Sequence, residues 1–295
     1  MDSQVLNSIQ LCQRRVKHQF VDNLVLPNVS EPIERGSLMH DMLEVYYGCI
    51  GKCVRYDAAL WLATKEAGFD VVKPDWTRDN IAQFAVAVGR FRASKMALPG
   101  DEVDEVIFQF SEYHKFYGND GWHPLAVEEV GSKLLFEDDD LQVIYNFKID
   151  VVMEQGSKIW PWDHKTSSRR QTPSSMSNQF MGYAFGLNTL NIVVNKIGFQ
   201  KTLKPGERFQ RDILQYTKTR LEEWVENTIY WARMLDYSLQ HKHYPMNLTS
   251  CDKFGGCHFE AICRKDVQLR ELIMERDYKV GKTWDVAKVL EGIED

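Results

Sequence analysis

No stretch of this sequence approaches the ~18 consecutive apolar residues that a membrane-spanning helix requires, so no membrane partner is expected. Nor does the start, MDSQVLNSIQLCQRR, supply the apolar stretch of a signal peptide; polar residues and an arginine pair stand there instead. The expected compartment is therefore cytoplasmic, where disulfides are rare and the 6 cysteines read as buried residues or metal ligands. Internal repeats and low-complexity segments are absent. The 295 residues suffice for one large domain, or for a core with a smaller attachment. Positive charge is not in excess: Lys and Arg number 36 against 42 Asp and Glu, a net −6. That balance excludes a protein that coats nucleic acid non-specifically. It is compatible with an enzyme whose acidic ligands lower the net charge while local basic stripes meet phosphates. Two such stripes are present, Arg169-Arg170 and the group Lys201, Lys204, Arg208 and Arg211. By themselves they are ordinary solvated surface.

The first ~120 residues carry helical periodicity. Val5, Ile9, Cys12 and Val16 form one apolar stripe, and Leu38, Met42, Leu43 and Tyr46 another. Further helices are expected over Arg55–Ala67, Asp79–Met96 and Glu102–Tyr117, separated by glycine and proline. After Gly118-Asn119-Asp120-Gly121 the texture changes to β-branched and aromatic runs. PLAVEEV, SKLLFED, LQVIYNFKIDVVME and KIWPWDHKTS read as strands. A helix near Ser175–Gly186 follows, then strands near Asn191–Gln200 and Arg208–Tyr216, then a long helix over Lys218–Gln240. The pattern predicts an α/β fold in three parts. These are a helical region over 1–120, a mixed-sheet core over 121–240, and a cysteine-rich tail over 241–295.

Asp150 ends one strand-like segment, and Asp163 and Lys165 lie on the next, at the separation a hairpin would give. Residues two apart on a strand face the same side, so Asp163 and Lys165 point together. Two carboxylates and an ammonium converging at a strand end suit Mg²⁺ or Mn²⁺ and phosphodiester hydrolysis. Alone, a D-x-K triplet is common, and an exposed hairpin with ordinary charges would also carry it. Trp160, Pro161 and Trp162 are bulky neighbours suited to burying this strand.

The runs FKIDVV, WPWDHKTSS and NQFMGY resemble the PD-(D/E)xK nuclease superfamily in its RecB-like branch. In that branch a strand acid is followed by D/E-x-K and then by a helix carrying glutamine and, four residues on, tyrosine. Gln179 and Tyr183 match this, on one helical face. Upstream, Gly36, His40, Leu43 and Glu44 match the branch's helix motif. The first core strand's glutamate corresponds to Glu128, with Glu129 as rival. The resemblance implies that His40, Asp150, Asp163 and the His164 carbonyl ligate the ion and that Lys165 is the catalytic lysine. It further implies that Gln179 and Tyr183 orient the lysine or the scissile strand, with Glu128 as a supporting acid. One departure is Phe147, where the family often has glycine three residues before the strand aspartate.

Cys251, Cys257 and Cys263 are evenly spaced in a glycine-containing polar tail, and Cys12 precedes Gln13-Arg14-Arg15 near the N-terminus. This arrangement looks like that of AddB-type helicase–nuclease subunits and CRISPR-associated exonucleases. There, one early and three late thiolates hold a [4Fe–4S] cluster that staples the chain ends. Zn²⁺ on the same four thiolates is the rival, and buried free thiols a third reading. Cys49 and Cys53 read as core residues, with a place in a differently composed site as their alternative; His258 is a less favoured ligand. The expected activity is exonucleolytic hydrolysis of single-stranded DNA or DNA ends, alongside a helicase or recombination partner. The alternatives are a catalytically silent nuclease-fold subunit that binds DNA or a partner, and a zinc-stapled interaction protein in which the D-x-K triplet is accidental.

Overall fold

The computed structural model describes residues 1–27, 31–53, 65, 68, 76–167, 175–200, 202–253 and 256–281. Most of the helix expected over Arg55–Ala67 lies outside these residues, as do Arg169, Arg170, Lys201 and Gly255. In chain order the main elements are α1 (Ser3–Leu11), α2 (Glu31–Gly51), α3 (Arg78–Ala93) and α4 (Gly100–Tyr117). Then come β1 (His123–Glu137), β2 (Gln142–Gln155), β3 (Lys158–Ser167), α5 (Asn178–Gly186), β4 (Asn191–Gly198), β5 (Phe209–Gln215), α6 (Lys218–His241) and α7 (Arg270–Asp277).

The five strands form one mixed sheet in sequence order. Only the β3–β4 pair is parallel, and α5 supplies the crossover that a parallel pair needs. β4, NIVVNKIG, is covered on both faces and reads as a nearly continuous apolar run, as such strands do. Pro161 is tolerated within β3 because it pairs with Val152 of β2, ahead of the first β3–β4 pair at Trp162.

Helices cover both faces. On one, α2, α3 and α4 bury Leu38, Met42, Phe84 and Phe110 against Trp160, Trp162, Val193 and Phe209. On the other, Leu6, Ile9, Phe180, Ala184 and Trp224, from α1, α5 and α6, pack on Phe147, Ile149, Ile192 and Val194. The expected α/β architecture, a mixed sheet flanked by helices, is the one found. Among the described residues no helix is long and apolar enough to cross a membrane.

Two local expectations differ from the structure. PLAVEEV and SKLLFED form a single strand, because the ladder continues through Gly131↔Phe147 and Ser132↔Asn146. Gly131 is required there, since a Cβ would overlap the Phe147 ring. The same ring lies over Gly186, so the phenylalanine in place of the family's usual glycine is a packing residue. The first apolar stripe is also not one helix: at Cys12 the backbone is extended (φ −167, ψ 120), and Gln13–Val16 restarts the helix.

The tail returns to the chain's start. Arg14 Nε donates to the Tyr244 carbonyl at 2.8 Å, and Asn247 Nδ2 to the Leu11 carbonyl at 2.8 Å. Leu24–Val25 pairs antiparallel with Lys279–Val280. Beneath them Leu24, Phe259, Ile262, Ile273 and Tyr278 form a small buried cluster.

Candidate active site

The β2–β3 ladder ends at the pair Val151–Trp162, and Asp150 and Asp163 are the next residues beyond it, one on each strand. The backbone amide of His164 donates to Asp150 Oδ2 at 2.7 Å and fixes that carboxylate on the strand. Asp163 is only 1% exposed, and its Oδ2 lies 2.6 Å from Lys165 Nζ, while the lysine side chain remains 43% exposed. Burial pushes both carboxyls up, each to about 6. The His164 amide opposes the shift at Asp150, and Lys165 opposes it at Asp163. Such a pair favours protons or a cation over water.

α5 completes a circuit around the lysine. Lys165 Nζ donates to Gln179 Oε1 at 3.1 Å, and Gln179 Nε2 donates to the Tyr183 hydroxyl at 2.8 Å. That hydroxyl in turn donates to Asp163 Oδ1 at 3.4 Å. The helical spacing of Gln179 and Tyr183 makes this possible, since both side chains leave one face. Burial holds the Tyr183 hydroxyl well above the usual tyrosine range, so it stays a donor.

α2 approaches from the other side. Gly36 permits its close contact with β3, because a Cβ there would stand 2.9 Å from Thr166 Oγ1. One turn on, His40 Nδ1 lies 3.5 Å from Asp150 Oδ2, and the ring reaches the His164 backbone. Burial lowers the His40 pKa and so favours a neutral imidazole, the form that ligates metals. Asp41 and Glu44 of the same helix turn to Arg92, at 3.0 and 3.1 Å.

The His164 side chain points to the opposite face, into a polar cluster that sequence reasoning missed. Asn195 Nδ2 lies 2.8 Å from His164 Nδ1 and donates to the Tyr113 hydroxyl at 2.9 Å. Arg211 pairs with Asp120 at 2.6 Å, with its guanidinium carbon 3.6 Å from the Tyr117 ring centre and 4.4 Å from that of Trp162. The cluster clamps β3 between Asp163 and Lys165 by gripping the one residue that faces away from both. Its signal was an asparagine inside the apolar run of β4, since a fully buried polar side chain needs a partner. Arg208 and Arg211, two members of the expected basic stripe, are thus not free for phosphate. Arg208 is buried against Gln109, at 2.7 Å, and Glu112.

Glu128 lies between the Val127–Val151 and Glu129–Ile149 pairs, opposite Asp150, and is ion-paired with Lys148. Its charge acts on His40 and Asp150, which puts Glu128 beside the site, while Glu129 pairs with Ile149. Its φ of 51 is left-handed, a conformation that costs an L residue about 1–2 kcal/mol. Glu128→Gly relieves that strain and Glu128→Ala does not, although both lose the Lys148 pair. The glycine variant is therefore expected to be more stable than the alanine variant by about 1 kcal/mol in thermal or denaturant melts. An alanine variant of equal or greater stability would rule out the backbone explanation.

Where the tail docks beside α1, Cys12, Cys251, Cys257 and Cys263 lie within electrostatic reach of one another. Burial raises Cys251 and Cys263, and the nearby Cys257 and Cys12 thiols push both further up, with Arg14 opposing at Cys263. Cys12 and Cys257 line a cavity of about 170 Å³, with His258 and Arg15 on its wall. The extended backbone at Cys12 leaves its thiol free of helical geometry, where it accepts from Asn247 N at 3.3 Å. Cys49 is in the core with Cys53 packed beside it, as expected.

Among the described residues no three His, Cys, Asp or Glu side chains close around one point as coordination would require. The donor chemistry beside Lys165 nonetheless suits a hard divalent cation. It comprises two buried carboxylates of raised pKa and an imidazole that burial favours in its neutral form.

The family model described as the PD-(D/E)XK nuclease superfamily matches residues 4–264. No curated protein matches the chain. Among solved structures, one titled "Crystal structure of SSO0001" is similar at 12% identity and a TM-score of 0.32, over 80% of this chain and 96% of that one.

Proposed function

Because this chain belongs to the PD-(D/E)XK nuclease superfamily, we propose that it is a metal-dependent deoxyribonuclease acting on single-stranded DNA or DNA ends. The observation that carries this reading is the circuit Lys165–Gln179–Tyr183–Asp163, closed beside Asp150 and His40. Two helix side chains, Gln179 and Tyr183, hold one strand ammonium and one buried carboxylate in place, an arrangement that a solvated surface charge pair does not have.

Asp150, Asp163, His40 and the His164 carbonyl would hold Mg²⁺ or Mn²⁺. When bound, the ion supplies Lewis acidity toward the phosphate and a water of lowered pKa. Lys165 stabilises negative charge developing on the phosphate and is exposed enough to meet it. Gln179 sets the lysine's direction, Tyr183 holds Asp163, and Glu128 supports Asp150 from the neighbouring strand. α2 brings His40 to within 3.5 Å of Asp150, and the preference for a single strand or an end belongs to the same reading. The division into a helical region over 1–120, a nuclease core over 121–240 and a tail over 241–295 belongs to the same reading, as does a cytoplasmic setting. The test compares linear with circular single-stranded DNA in Mg²⁺ or Mn²⁺. Linear DNA is expected to be degraded and the circle spared. Equal cutting of both would remove the requirement for an end, and no cutting of either would remove the nuclease.

Within the superfamily the reading is the RecB-like branch, with a [4Fe–4S] cluster on Cys12, Cys251, Cys257 and Cys263. Its support is that Cys12 and Cys257 both act on Cys251 and Cys263 where the tail docks beside α1. Protein purified without oxygen is expected to be brown, and the colour to be lost in Cys257→Ser. Colourless wild type that releases zinc would assign Zn²⁺ instead.

A further inference from the structure

The circuit around Lys165 depends on where α5 begins, and that start has no side-chain cap. Ser177 stands at the N-cap position without a capping bond, where a serine hydroxyl ordinarily fixes the first turn. The next residue, Asn178, is held instead from three directions. Its Nδ2 donates to Asn7 Oδ1 at 2.7 Å and to Gln10 Oε1 at 2.8 Å, both on α1. Its Oδ1 accepts from Trp224 Nε1 of α6 at 3.0 Å, and its carbonyl accepts from the Tyr145 hydroxyl of β2 at 3.2 Å. Gly182, one turn on, lets α5 lie against that tyrosine, since a Cβ there would overlap the hydroxyl.

Asn178 is the chain neighbour of Gln179, whose Oε1 accepts from Lys165 Nζ at 3.1 Å. The helix that holds Asn178 is itself fixed at both ends and along one face. Asp2 caps the start of α1 by accepting from the Gln4 and Val5 amides, and Asn247 of the tail grips its end at the Leu11 carbonyl. Leu6 and Ile9 are buried beneath it. Asn7 and Gln10, three residues apart, share a face and are exposed, yet both turn to the one asparagine. Networks of this kind hold a side chain more firmly than any single bond in them.

We propose that Asn178 is a positioning residue for the nuclease reaction, passing the placement of α1 to Gln179 and so to Lys165. The inference rests on the nuclease reading and adds Asn7, Gln10 and Asn178 to the residues that set its rate. An ammonium that must meet developing charge within about 0.5 Å needs its own supports fixed in turn. Here the last support is a helix at the far end of the sequence.

The test is steady-state cleavage of a single-stranded oligonucleotide in Mn²⁺ by wild type and by the double variant Asn7→Ala/Gln10→Ala. Both positions are exposed, so circular dichroism and melting temperature are expected to hold. kcat is expected to fall about tenfold with KM unchanged, the pattern of a loss felt only in the transition state. Repeating the pair of substitutions in a Gln179→Ala background tests the route. There they should cost nothing further, because their effect passes through the missing amide. Asn178→Ala should lose at least as much in kcat and be equally silent once Gln179 is gone. An unchanged kcat in the double variant, a rise in KM alone, or equal losses with and without Gln179 would overturn the positioning role while leaving the nuclease intact. Wild type that cuts no DNA overturns both.

Discussion

Lys165→Ala is expected to slow DNA cleavage by about a thousandfold or more, with the fold retained by circular dichroism. The side chain is 43% exposed, so its removal opens no core cavity. Its chemical neighbourhood is nonetheless tightly set. Lys165 is the main group opposing the burial that raises Asp163, so its loss moves that carboxyl further up, toward the neutral form. The variant therefore loses the ammonium and, with it, part of a ligand's charge. Lys165→Arg separates the two effects. A guanidinium keeps Asp163 ionised and restores metal affinity, but its planar fork does not reproduce the point charge held by Gln179. Metal binding should recover in the arginine variant and the rate should not. Recovery of both would reduce Lys165 to an electrostatic partner of Asp163.

The second large effect is on stability, and its sign follows from the carboxyl pair. Asp150 and Asp163 titrate near 6 in the folded chain, against an ordinary value of 3.8. A folded-state pKa raised above the unfolded one means that the native state holds more protons. The pair's contribution is then fully present below pH 4 and is lost as pH rises through 6. At pH 8 the metal-free protein carries two ionised carboxylates in a buried site, and a divalent cation relieves them. Mn²⁺ at a hundredfold excess over its dissociation constant is expected to stabilise the protein by about 2.7 kcal/mol, or about 5 °C in melting temperature. At pH 5 protons occupy the pair and the same Mn²⁺ should do little. A melting temperature indifferent to Mn²⁺ at pH 8, or raised equally at pH 5, would refute the linkage.

Much of this site was legible because its spacing rules are local. Asp163 and Lys165 share a strand face by the two-residue period, and Asp150 and Asp163 directly follow the last β2–β3 pair, Val151–Trp162, close to the hairpin arrangement expected. Gln179 and Tyr183 share a helix face and join one hydrogen-bonded chain. What the sequence concealed depends on tertiary partners. Nothing local marks Arg208 and Arg211 as inward-facing; Gln109, Glu112 and Asp120, distant in the chain, draw them in. Glu128 adopts a left-handed backbone that no propensity would assign to glutamate, at the position facing Asp150. The helix break at Cys12 is likewise invisible to periodicity, which ran straight through it. It arises where the tail docks, with Asn247 bonded to both Leu11 and Cys12.

The central claim is a metal-dependent DNA nuclease built on Asp150, Asp163 and Lys165. Its most direct test is release of label from end-labelled single- and double-stranded DNA by wild type, Asp150→Ala and Lys165→Ala, with Mn²⁺ and with chelator. The expected result is Mn²⁺-dependent release by wild type, abolished by chelation and by either substitution. Undiminished cutting by both variants would contradict the account.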